Sequence, residues 1–147
     1  MAPAIEAGDH VLMEGLSFWM RQPKRGEIVA FKTDGLDGVA PGTIYAKRIA
    51  GLPGERLRIS RERLYANDAP TELTNAIGEI RYVHLRGSKF LTYDDETVSV
   101  PEDHYFLLGD NSAHSADSRF FGFVPAENLL GRITHCYWPP SRAGSIR

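Results

Sequence analysis

The chain has 147 residues, 42% of them hydrophobic and 24% charged, with a formal net charge of -2 at pH 7. That length suits one domain that buries a core without staples, and the single cysteine, Cys136, excludes an internal disulfide. The charge balance gives no basic field for a phosphate backbone, which argues against nucleic acid as a partner.

The five histidines fall at no metal-ligand spacing, so no zinc site is expected. No apolar run reaches the ~18 residues that span a bilayer, and the start lacks the charged-then-apolar order of a secretory signal. Fourteen glycines and nine prolines predict many turns and short strands.

Met1 to Asp9 is small and turn-prone, and His10 to Met13 is a short strand candidate. Leu16 to Met20 is an apolar, aromatic run in which Phe18 and Trp19 suit either core packing or an exposed lip. Glu27 to Lys32 reads as a strand launched from the turn at Lys24-Arg25-Gly26, and Thr33 to Gly42 as a surface loop. In the strand that follows, Tyr45, Lys47 and Ile49 share one face while Ile44, Ala46 and Arg48 share the other. Each face therefore carries one cation. Lys47 is either a solvated surface residue or a buried, unprotonated base. Leu52-Pro53-Gly54-Glu55 fits a type II turn, with Pro presetting φ and Gly supplying the positive φ.

Arg56 to Ser60 alternates like a half-exposed strand, and Leu64-Tyr65 runs into a turn at Ala66 to Pro70. Glu79 to Leu85 and Lys89 to Tyr93 are predicted to pair across Arg86-Gly87-Ser88. Tyr105 to Leu108 is a buried-strand candidate ending in the tight turn Gly109-Asp110-Asn111. Ser112 to Arg119 is polar and rich in hydroxyls, and Ser115, Asp117 and Arg119 would share a face if it were extended. Pro125 to Gly131 predicts one or two helical turns, and Ile133 to Trp138 a last strand. The expected fold is a single all-β domain over 1–147, with 60–100 a less certain β insertion and 141–147 a frayed tail.

Three blocks carry a resemblance. They are M-A-P-A-I-E-A-G-D-H-V-L-M at Met1 to Met13, P-K-R-G-E-I-V-A-F-K with Y-A-K-R-I-A-G-L-P-G-E, and G-D-N-S-A-H-S-A-D-S-R-F-F-G-F-V at Gly109 to Val124. Together, and in this order, they resemble the type I signal peptidases, serine-lysine proteases that cut leader peptides from exported proteins. The resemblance implies coiled antiparallel sheets of the signal peptidase or LexA-like type, with at most one short helix. It makes Lys47 the general base of a Ser-Lys dyad, Ser115 the hydroxyl that orients Lys47, and Asp117 with Arg119 a supporting ion pair. Met1, Ile5, Tyr45 and Ala46 fall where the family lines its shallow pocket for the small residue before the cut. Substrate would lie as an added strand against the Lys47 strand.

Phe18, Trp19, Tyr137 and Trp138 are then candidates for a lip facing the membrane, and no metal or organic cofactor is implied. Relatives act on secretory preproteins at the outer face of the cytoplasmic membrane. The family's nucleophilic serine would stand immediately before Met1, so the polypeptide as it stands is expected to be inert as a protease. Ala4 replaces the family's threonine, and Ser112-Ala113-His114 replace its charged and amide residues. Two other readings share these features: an inert β module that binds extended peptides by strand addition, and a LexA-type self-cleaving domain.

Overall fold

A computed structural model of the chain describes residues 1–146. Its strands are β1 (His10–Glu14), β2 (Ile28–Lys32), β3 (Ile44–Gly51), β4 (Arg56–Ser60), β5 (Arg63–Ala66), β6 (Ala69–Pro70), β7 (Thr74–Asn75), β8 (Gly78–Glu79), β9 (Thr97–Ser99), β10 (His104–Leu108), β11 (Val124–Pro125), β12 (Leu129–Trp138) and β13 (Gly144–Ser145). Two four-residue helices, α1 (Ser17–Met20) and α2 (Ser118–Phe121), interrupt them. The larger antiparallel sheet runs β1-β12-β2-β3-β10-β11 with β13 beside β12, and the smaller runs β6-β5-β4-β9. The all-β expectation holds. There are, however, two short helices where at most one was expected, because the Leu16 apolar run and the Ser118 segment each close a single turn.

Period-two alternation builds the core. Val29, Phe31 and Ile49 on one face of the large sheet pack with Tyr105, Leu107, Phe121 and Val124. On the other face Ala50, Phe106 and Leu108 pack with Leu57, Ile59 and Leu64 of the small sheet. A third cluster of Ile28, Ala30 and Ile133 is covered by Met1, Ala4 and Ile5. Burying each large apolar side chain contributes ~1.5–3 kcal/mol, against ~0–1 for an exposed pair such as Arg56–Asp68. The clusters therefore hold the body together.

The turn after β3 forms as expected: Glu55 N–H donates to Leu52 O at 3.2 Å and Gly54 has φ +76°. Asn67 and Asp68, with φ of 48° and 66°, turn β5 into β6 as a type I′ pair.

The predicted pairing of Glu79–Leu85 with Lys89–Tyr93 does not occur. The backbone there bonds elsewhere: Tyr82 N–H to Glu62 O (2.9 Å), Val83 N–H to Ser112 Oγ (2.9 Å), and Lys89 and Phe90 N–H to Arg119 O (2.7 and 3.0 Å). Val83, Lys89 and Phe90 thus brace the Ser112–Arg119 loop, and the two segments meet through the His84 ring, whose Nδ1 lies 2.8 Å from Leu91 O. Pro125 to Gly131 gives only a 3-10 turn at Ala126–Asn128 before β12 begins at Leu129, as the Asn128 amide donates to Lys32 O and Asp34 O. The tail is not frayed over 141–146: Arg142 clamps Asp9 through Nε at 2.8 Å, and β13 pairs with β12. Arg147, the end of that expected tail, lies outside the described residues. Among the described residues no helix is long and apolar enough to cross a membrane.

Candidate active site

β3 carries the site because its two edges differ. On one side it pairs with β2 over Ile44–Arg48, Lys47 opposite Val29 and Ile44 opposite Lys32. On the other, β10 pairs only with Arg48, Ile49 and Gly51, because that strand ends at Leu108 and turns away at Gly109. Among the described residues, no strand pairs with Ile44–Lys47 on this second edge, which is the geometry that accepts an extended peptide.

Lys47 sits where the paired stretch stops. It is half-buried, with no hydrogen bond or ion pair among the described residues, and its Nζ lies 5.8 Å from the Tyr45 ring centroid. Burial holds its ammonium below the ordinary lysine value. The Asp117 carboxylate opposes that drop, Arg119 adds to it, and Asp110 opposes it more weakly. Desolvation wins. Ser115 is buried, and its Oγ is enclosed without a hydrogen-bond partner among the described residues.

Gly109 joins the two. A Cβ placed on it would lie 2.1 Å from Ser115 Oγ and 3.7 Å from Lys47 Cδ, so only glycine lets the hydroxyl and the lysine stem close on the same spot. Gly109→Ala is expected to displace Ser115 and cost ~1–3 kcal/mol of stability by overpacking. Thermal unfolding and the Ser115 amide chemical shift check this. An unshifted Ser115 resonance would mean that the contact is not tight.

The loop is held by a buried ionic frame. Ser115 is extended, but Asp117 caps α2 and Arg119 lies within that helix, so the expected single extended face does not exist. The pair forms all the same, because the guanidinium folds back. Asp117 and Arg119 are fully buried. Arg119 donates through Nε to Asp117 Oδ1 (2.9 Å), through Nη2 to Asp117 Oδ2 (2.7 Å) and Ser112 O (2.8 Å), and through Nη1 to Val83 O (2.6 Å) and Ser112 Oγ (3.0 Å). All five donors are spent. Asp117 Oδ2 also accepts Gly109 N–H at 3.1 Å, and Ser118 Oγ accepts Leu107 N–H at 2.9 Å, which fixes the end of β10.

A second buried pair went unassigned in the sequence. Arg48, 3% exposed, donates through Nε and Nη2 to Asp110 at 2.8 and 2.7 Å and through Nη1 to Gly26 O at 2.7 Å. Its signal was present, since a strand with a cation on each face must bury one of them. Tyr82, also missed, has its hydroxyl enclosed beside these charges without a partner among the described residues, and burial followed by Asp110 pushes its phenol up.

Met1, Ile5, Tyr45 and Ala46 do come together. With Ile44, Lys47 and Ala116 they line one open cleft of about 470 Å³. Met1 and Lys47 thus face the same cleft. Of the lip candidates, Trp19 is 90% exposed and Tyr137 and Trp138 are 54% and 53% exposed. Phe18 is the exception, packing against the Val29–Phe31 cluster because the α1 turn points it inward.

The fold and site thus define a class: an antiparallel β body that presents a desolvated lysine at the open edge of a strand, beside a buried hydroxyl. The chain belongs to the family described as signal peptidase, peptidase S26, whose model matches residues 1–138. It is 37% identical over 147 residues to a probable signal peptidase I-2 of Synechocystis, covering 99% of this chain and 62% of that protein's length. It is 32% identical over 149 residues to signal peptidase I of Leptolyngbya laminosa, covering 99% of this chain and 68% of that one. The crystal structure of a signal peptidase I from Enterococcus faecalis V583 superposes with a TM-score of 0.58 at 29% identity, over 78% of this chain and 98% of that one.

Proposed function

We propose that this chain is the catalytic body of a serine endopeptidase that removes leader peptides from secretory preproteins through a Ser-Lys dyad. The observation that carries this reading is the half-buried Lys47 amine at the free edge of β3, in the cleft that Met1 also lines. A serine immediately before Met1 would deliver its hydroxyl into that cleft. Neutral Lys47 takes the serine proton as the oxygen attacks the carbonyl carbon, and the lysine ammonium then gives that proton to the nitrogen of the scissile bond, so that the amine leaves and an acyl-enzyme remains. Water activated by the same lysine then releases the acyl group. Ser115 Oγ, which has no partner among the described residues and lies near the lysine stem, is the hydroxyl available to orient the amine, and the Asp117–Arg119 frame holds Ser115 in place.

Tyr45, Ala46, Met1 and Ile5 leave room for a small side chain before the cut, consistent with an A-x-A rule. The exposed Trp19, Tyr137 and Trp138, with Leu12 and Met13 along the β1–β12 ribbon, form a lip that suits a membrane surface. In full-length relatives that surface would be the outer face of the cytoplasmic membrane.

The test is cleavage of an A-x-A peptide in detergent by the N-terminally extended protein, serine before Met1 included. Turnover is expected to rise with pH as Lys47 loses its proton, with an apparent pKa below the ~10.4 of a free lysine. Absence of any cleavage favours the inert strand-adding module, which the open β3 edge also fits.

A further inference from the structure

Three clefts meet at Ala116, and only one of them holds Lys47. A second reaches Tyr45 from Asp37–Ala40 and stays beside the β3 residues that precede Lys47. The third, about 370 Å³, touches no residue of β3 but includes Ser115. We propose that this third cleft, walled by Leu85, Ala113, Ala116 and Phe120 and rimmed by Arg86 and His114, receives the residues that follow the scissile bond and selects an acidic side chain there. This rests on the peptidase reading above and names its substrate class.

The path follows from the sheet. A peptide added along Ile44–Lys47 places its residues before the cut beside the first two clefts. Beyond Lys47 the β3 edge is closed by β10 at Arg48. The peptide must therefore leave over the Ser112–Ala116 loop, and the third cleft lies on that route. The chemistry follows from charge. Arg86 and His114 are exposed, and neither side chain makes an ion pair or hydrogen bond among the described residues. The nearby carboxylates are committed: Asp94 to His84, Asp37 to Lys89, Asp110 to Arg48 and Asp117 to Arg119. The uncompensated charge at this exit is positive, which favours an anionic side chain over an apolar floor.

Matched A-x-A peptides carrying Glu, Ala or Lys at each of the first three positions after the cut provide the test, with the serine-bearing extended protein. At one of those positions Glu is expected to exceed Lys by about fivefold in kcat/KM at low salt, and the difference should shrink in high salt. Arg86→Glu should invert that order, each rate being taken relative to the all-Ala peptide with the same protein. A wild-type protein that does not discriminate, or a preference that survives Arg86→Glu, overturns the proposal while the peptidase reading stands. If no peptide is cut, the peptidase reading fails and the cleft is judged by NMR titration of the present polypeptide. Amide shifts at Leu85, Ala113 and Ala116 with the Glu peptide alone support it, and equal shifts with the Glu and Lys peptides, or none, overturn it.

Discussion

Lys47→Met in the N-terminally extended protein is expected to cut peptide turnover by about 10⁴-fold and leave the fold intact. Methionine keeps the length and apolar stem of lysine but has no basic nitrogen. The amine it replaces is half-buried with no ion pair among the described residues, and burial already opposes its charge. Removing it therefore removes a desolvation cost, and the melting temperature should hold or rise.

The linkage has a definite sign. The folded-state pKa of Lys47 lies below its unfolded value, so the unfolded chain binds the proton more tightly between the two. This group's contribution to stability accordingly rises as pH climbs from the depressed folded value toward ~10.4, and below that window it stays flat at its least favourable. Lys47→Met should lack that rise. Turnover within tenfold of wild type would exclude Lys47 as the base. A collapse in stability would make it a structural residue instead.

Arg119→Met is expected to destabilise the protein by ~3–5 kcal/mol, lowering its melting temperature by roughly 10 °C. The reason is asymmetry. The guanidinium spends all five donors, and its loss strands the fully buried Asp117 carboxylate along with Val83 O and Ser112 O. Restoring neutrality with Asp117→Asn in the same protein should recover part of the loss, because an uncharged amide costs less to bury than a lone carboxylate. Calorimetry on the two variants decides it. A shift of only a degree or two in Arg119→Met would return the pair to the rank of a surface ion pair. Gly109 would feel the change as well, since Asp117 holds its N–H and Gly109 separates Ser115 from the lysine stem.

Much of the architecture was legible because its signals are local. Alternation marked β4 and the two faces of β3, short apolar runs marked β2 and β10, and the chemistry of Pro53-Gly54 marked where β3 stops. The failures share one cause. Residues 79–93 have enough strand-like residues to suggest a hairpin, but their backbone groups are taken by Glu62, Ser112 and Arg119 from elsewhere in the chain. The tail read as frayed because nothing in its own composition shows that Asp9 waits for Arg142. Arg48 and Asp110 stand 62 residues apart and meet through the register of β3 against β10, which no local pattern encodes.

The sequence by itself determined the mostly β character, the strand that bears Lys47 and the three blocks that place the chain in its family, because side-chain period and turn residues act over a few positions. Only the tertiary structure decided which of the two cations on β3 is neutralised and which is left without a partner. β10 ends one residue short of Lys47, so Arg48 meets Asp110 in the core while Lys47 remains at an open edge, drawn out of water beside a hydroxyl.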